Sequence, residues 1–171
     1  AGPLPPNTWV ALSPLPRQGQ TAVFALAVDP SNDRSLIAGN SAGGLLRSAD
    51  GGLSWSSVHS GTSVVTTIAF SPFNSGLVLA GTHGGGALVS RDGGLTWTAA
   101  TGLERRTVRA FAFALTATFA GTDDGVFASR DTVSWSFAGL ANRTINSLAV
   151  EAIHAPVHLV ASSDSTPGGA A

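Results

Sequence analysis

Ser90-Arg91-Asp92-Gly93-Gly94-Leu95-Thr96-Trp97 is the stretch that decides the fold. The same order recurs at Ser48-Ala49-Asp50-Gly51-Gly52-Leu53-Ser54-Trp55. A shortened copy stands at Ser129-Arg130-Asp131-Thr132-Val133-Ser134-Trp135. Ser and Asp side chains hydrogen-bond to turn backbone. Paired glycines supply the positive φ that a tight hairpin needs. The Trp offers a broad apolar face for packing between sheets. Ser48, Asp50, Gly52 and Trp55, then Ser90, Asp92, Gly94 and Trp97, then Ser129, Asp131 and Trp135 therefore read as structural positions. The third copy lacks both glycines and is one residue shorter, so its turn is expected to take a different geometry.

Outward from the motif the chain repeats itself. Trp9, Trp55, Trp97 and Trp135 follow at spacings of 46, 42 and 38 residues, around the ~40–45 residues of a four-stranded repeat unit. Upstream of each motif a first apolar run recurs: 22–28, 64–70, 108–113 and 145–150. Turn residues such as Asp29-Pro30-Ser31-Asn32 and Ser71-Pro72-Phe73-Asn74 end it. A second run follows at 35–39, 77–81, 118–121 and 158–161, and a third at 44–48, 86–90 and 125–129. The motif makes the next turn, and its Trp is expected to begin a fourth strand. The chain shows no helical period.

These motifs resemble the Asp-box, or BNR repeat, of the form S-x-D-x-G-x-T-W. That repeat marks β-propellers of a superfamily with sialidase-like, photosystem II assembly-factor-like and xyloglucanase-like members. The resemblance covers nearly the whole chain from Trp9 onward. It implies an all-β propeller of four-stranded antiparallel blades in a single domain, or part of one, over residues 1–171. The blades fall at about 22–58, 64–100, 107–138, and 144–171 together with 7–12. This makes three complete blades and a partial fourth, one strand short of ~4 full blades, the fewest such rings have. The chain is then a fragment of a longer propeller, a minimal ring, or a subunit completed by other copies.

Composition limits the chemistry. The 171 residues carry a net charge of −1, which gives no general attraction to nucleic acid. Cys is absent, which removes disulfides, thiolate nucleophiles and Cys metal sites. All nine basic residues are Arg, so no lysine chemistry is available. No apolar stretch is long enough to span a bilayer as a helix. The opening Ala1-Gly2-Pro3-Leu4-Pro5-Pro6, without Met, reads as a processed N-terminus and points to an extracytoplasmic location, periplasmic, secreted or at the cell surface. No cofactor is called for.

The resemblance places the turns after the fourth and second strands on one face, with the motif turns on the other. Arg105, Arg106, Arg109 and Arg143, with His83, are the candidate ligand- or partner-binding residues there. Arg clusters suit carboxylate or phosphate. The competing reading is scattered charge on a solvated face. Asp123 and Asp124 are the carboxylate candidates for catalysis. Adjacent residues normally point apart, so turn capping is the favoured reading, whereas a glycosidase needs carboxyls ~5–9.5 Å apart across the bond. His59, His83, His154 and His158 have no metal-ligand spacing, and no metal site is expected. Asn142-Arg143-Thr144 fits a glycosylation sequon. The resemblance to sialidases does not extend to their nucleophile, a Tyr, because this chain has none. The reading is a non-catalytic binding or assembly propeller. Its partners are a protein, or other copies through exposed propeller edges, with carbohydrate as a further ligand class. The alternatives are a glycoside hydrolase fragment or subunit, and a repeat subunit of a surface or filament assembly.

Overall fold

Short apolar runs separated by turn residues fold as antiparallel strands throughout residues 22–151 and 158–163, the part of the chain described by the computed structural model. The expected strand within residues 7–12, the tail beyond Ser163 and His154 lie outside the described residues. The first sheet is β1 (Val23–Asp29), β2 (Asn32–Asn40), β3 (Leu45–Ser48) and β4 (Ser56–His59). The second is β5 (Val65–Phe70), β6 (Val78–Thr82), β7 (Ala87–Ser90) and β8 (Thr98–Ala99). The third is β9 (Val108–Phe113), β10 (Thr118–Thr122), β11 (Gly125–Ser129) and β12 (Ser136–Gly139). A fourth pairs β13 (Ile145–Glu151) with β14 (His158–Ser163). Within every sheet the strands lie in chain order. The result is three full blades and a two-stranded fourth, and the described residues hold no helix.

The first strand of each sheet packs on the first strand of the next: β1 on β5, β5 on β9, β9 on β13. Side chains alternate faces along a strand, and along the first strand of each sheet the two faces differ in size. Ala25 and Ala27 lie in one buried cluster with Ile68, Phe70 and Val78 of the second sheet. The second and third sheets meet around Leu79, Leu103, Val108, Phe127 and Trp135. Fully burying a Leu such as Leu79 is worth about 1.5–3 kcal/mol. Glycine sets the approach. A Cβ on Gly39 would lie 2.6 Å from Val65 Cβ, and one on Gly121 would lie 2.8 Å from Ile145 Cγ2. Gly81 meets Val108 in the same way. Each of the first three sheets therefore has a side-chain-free residue in its second strand where a β-branched residue of the next sheet comes in.

The motif turns behave as hydrogen-bonded units. Ser48 Oγ accepts from Gly52 N at 2.8 Å, and Ser90 Oγ accepts from Gly94 N at 2.8 Å. Asp50 and Asp92 each accept from the hydroxyl four residues on, Ser54 and Thr96, at 2.6 Å. One expectation needs correction. The fourth strand starts one residue after the Trp, not at it, because the indole turns back. Trp55, Trp97 and Trp135 Nε1 donate to the carbonyls of Gly52, Gly94 and Thr132. The third turn differs as expected. Ser129 Oγ accepts from Thr132 N, three residues on, and Thr132 carries the positive φ of 64° that glycines carry elsewhere. Contacts to the second sheet hold this turn. Thr101 N donates to Val133 O at 2.8 Å, and Trp135 N donates to Thr101 O at 2.9 Å. Trp135 is buried, whereas Trp55 and Trp97 are half-buried.

Arginines tie each motif turn to its neighbour. Arg47 Nε donates to Gly93 O at 2.9 Å, and Arg91 Nη2 donates to Asp131 O at 2.5 Å.

Candidate functional site

At the end of the sheets away from the motif, two sets of turns are stitched together. The turn after β8 meets the turn between β6 and β7: Gly86 N donates to Arg106 O at 3.0 Å, and Gly84 N to Thr107 Oγ1 at 3.2 Å. The turn after β12 meets the turn between β10 and β11: Gly125 N donates to Arg143 O at 2.8 Å. Both sets thus share one face. The motif turns sit at the other end, beside the β1–β2 and β5–β6 turns, where Gly51 N donates to Arg34 O and Gly93 N to Gly76 O.

Asp123 and Asp124 are committed to this stitching. Asp123 Oδ1 accepts from Thr107 N at 3.1 Å. Asp124 Oδ1 accepts from Asn142 N at 3.0 Å, and its Oδ2 takes the Arg106 guanidinium at 2.6 Å. The Asn142 amide, then Arg106, hold the Asp124 carboxyl below the usual carboxylate range. Both carboxylates thus reach the turn after β8, Asp123 through Thr107 N and Asp124 through Arg106, while Asp124 also holds the turn after β12 through Asn142 N. Glu104 is also turned to backbone: both its oxygens accept from Gly102 N, and its own amide, then that of Gly102, lowers its pKa.

The four arginines therefore divide. Arg106 is paired with Asp124 and stacks 4.7 Å from the Phe127 ring centroid. That is the only ion pair among the described residues. Arg105, Arg109 and Arg143 are exposed. Arg105 sits at φ 63° in its turn. Arg109 stands where β9 bulges against β10, between the pairs Val108–Thr122 and Ala110–Gly121. His83 is exposed, its N–H bound to Val64 O at 2.9 Å. Asn142, in the sequon, is exposed at φ 59°. Sequence reasoning missed Phe127 and Thr107. Phe127 lies in an ordinary apolar strand, and only the cross-strand position opposite the Arg106 turn reveals its role.

Concavities lie at both ends of the sheets. One, of about 130 Å³, lies on the turn face between the first two sheets, lined by His59, Thr62, Ser63, Thr82 and Leu88 among others. A larger open groove of about 540 Å³ lies at the motif end of the third sheet, beside Arg130, Asp131, Ser134 and Ser136. No group of three or more His, Cys, Asp or Glu among the described residues is placed to hold a metal. No helix there is long and apolar enough to cross a membrane.

Neither a protein-family model nor a curated protein matches the sequence. Solved structures do match its fold. An ancestral GH74 enzyme superposes with a TM-score of 0.66 at 22% identity, over 82% of this chain and 24% of that one. The computationally designed Ika4 protein gives 0.65 at 17% identity, over 90% of this chain and 99% of that one. YCF48 from Cyanidioschyzon merolae gives 0.57 at 17% identity, over 72% and 38%. YCF48 has also been solved bound to D1 peptide, with a TM-score of 0.52 at 14% identity over 75% and 43%. The chain thus spans about a quarter of the GH74 enzyme's length. At these identities the likeness establishes the β-propeller fold alone.

Proposed function

We propose that this chain is a non-catalytic propeller module, built on Asp-box repeats, that holds a protein partner or ligand on its turn face, outside the cytoplasm. The division of charge on that face carries the reading. Asp123, Asp124 and Glu104 are bound to backbone or to Arg106. Arg105, Arg109 and Arg143 stay exposed without an acidic partner among the described residues. A face with locked acids and free guanidinia suits an anionic group on a partner, since Arg binds carboxylate in a bidentate manner. The similar YCF48 fold, solved with a peptide, supports peptide capture as a use of such blades.

Titration against a panel of acidic peptides with free C-termini tests this. Binding should weaken as salt rises. Each Arg→Ala change at positions 105, 109 and 143 should cost about tenfold in affinity, because hydrogen bonds to charged groups are worth about 1.5–3 kcal/mol. An unaltered affinity in the triple variant rules out the arginine face.

The likeness to GH74 enzymes favours a second reading, a glycoside hydrolase fragment or subunit, with carbohydrate as ligand. Turnover of xyloglucan or aryl-glycosides that disappears in Asp123→Asn or Asp124→Asn would establish it in place of the first.

A further inference from the structure

Among the described residues the first and fourth sheets each leave one face open, and the two faces are complementary in side-chain size. At the internal junctions the first strand of a sheet presents small residues forward to the next: Ala25 and Ala27, Thr67 and Ala69, Ala110 and Ala112, all buried or half-buried. The next sheet presents large residues backward: Ile68 and Phe70, Phe111 and Phe113, Leu148 and Val150, also buried or half-buried. The first sheet's backward pair is Leu26 and Val28, 60% and 48% exposed, with Phe24 at 61% beside them. The fourth sheet's forward pair is Ser147 and Ala149, both exposed, with Val160 67% exposed on the neighbouring strand. The large-on-small pattern that closes three junctions thus continues to a fourth, with both halves open in one molecule.

We propose that these faces pair between two copies of the chain, head to tail, so that Leu26 and Val28 of one protomer cover the Ser147 and Ala149 face of its partner. The pairing extends the established series β1–β5, β5–β9, β9–β13 by one more junction of the same kind. A heterologous contact of this kind closes a ring when the rotation allows it. Two copies give eight sheets, within the ~4–8 blades propellers adopt. The contact also removes exposed apolar surface of the sort that marks interaction sites. It involves the ends of the sheet series rather than the turn face, so it stands apart from the partner site above.

One residue sets the strength of this seam. Gly39, Gly81 and Gly121 admit Val65, Val108 and Ile145 of the following sheet. The fourth sheet has Ser162 at that position, and Val23, 41% exposed, is the residue that would enter. The added Cβ and hydroxyl hold the inner end of the seam wider than the internal junctions. The contact between copies therefore separates before the sheets do.

Native mass spectrometry and sedimentation at micromolar concentration test the proposal. The 171-residue chain without substitutions should have twice its single-chain mass of 17.1 kDa. Leu26→Glu should return it to 17.1 kDa with an unchanged circular dichroism spectrum. Ser162→Gly should lower the dissociation constant about tenfold, the lower range expected for relieving an overpacked contact. Because the chain has no Cys, Leu26→Cys with Ala149→Cys reports directly on the pairing. Oxidation should give a disulfide between chains. An unsubstituted chain of single-chain mass, a two-copy particle unaffected by Leu26→Glu, an open ladder of larger species, or a disulfide within one chain overturns the proposal; the last means that the chain closes on itself.

Discussion

Asp50 and Asp92 lie near the surface, yet each is brought down to a pKa of about 2. The main cause is the hydroxyl four residues on, Ser54 for Asp50 and Thr96 for Asp92, followed by the amide of the same residue. Asp131 is lowered as well, chiefly by the amides of Ser134 and Val133. A carboxylate with a depressed folded pKa contributes stability that is present above its unfolded value of about 4 and is lost as pH falls through its folded value. Solvent exposure keeps each contribution small, but the three act in the same direction. The melting temperature should hold steady from pH 7 to about 5 and then fall between about pH 4 and 2. In Asp92→Asn the pH 7 melting temperature should be lower and the acid fall shallower. Circular dichroism melts across this range check both, and parallel curves for the two proteins would remove the motif aspartates as the cause.

At the scale of the element, the blade-to-blade junction depends on a missing side chain. Gly39→Ala would place a methyl group against Val65, and overpacking of this kind costs about 1–3 kcal/mol. The cost should shrink in a Val65→Ala background, because the second change vacates the space the first one needs. Denaturant unfolding of the four proteins in the cycle measures this coupling. Additive losses would mean that Gly39 is needed for its backbone rather than for Val65. The strands themselves were legible in the sequence. Runs such as Val64–Phe70 and Leu77–Gly81, bounded by Ser-Pro and Gly-rich turns, mark their own ends. The start of the fourth strand was not, because the indole bond of each Trp back to its turn is a three-residue loop that no hydrophobic pattern records. The third motif shows the same limit. Its lost glycines are visible in the sequence, but the stitch from Thr101 that holds Trp135 in place comes from the neighbouring sheet.

For the molecule as a whole, the face on which the turns gather was implied by the family resemblance, while the role of each charge was not. Arg105 and Arg106 are adjacent and alike in sequence, yet only Arg106 reaches Asp124 and Phe127. That difference depends on which turn each sheet brings alongside. The same serial order shapes stability. Among the described residues the sheets pack in series, so the second and third sheets are flanked on both faces while the first and fourth each keep one open face. In such arrays stability is close to a sum over units and their shared interfaces. Local opening should therefore begin at the ends. Amide hydrogen exchange should be slowest in β6 and β10, the second strands of the inner sheets. It should be faster in β2, although Ile37 is fully buried, and fastest in β14. Measured on the Leu26→Glu protein, which isolates a single chain, the gradient should be steepest. If β2, β6, β10 and β14 exchange together at one rate, the chain unfolds as a single cooperative block, and the sheet-by-sheet account of its stability is wrong.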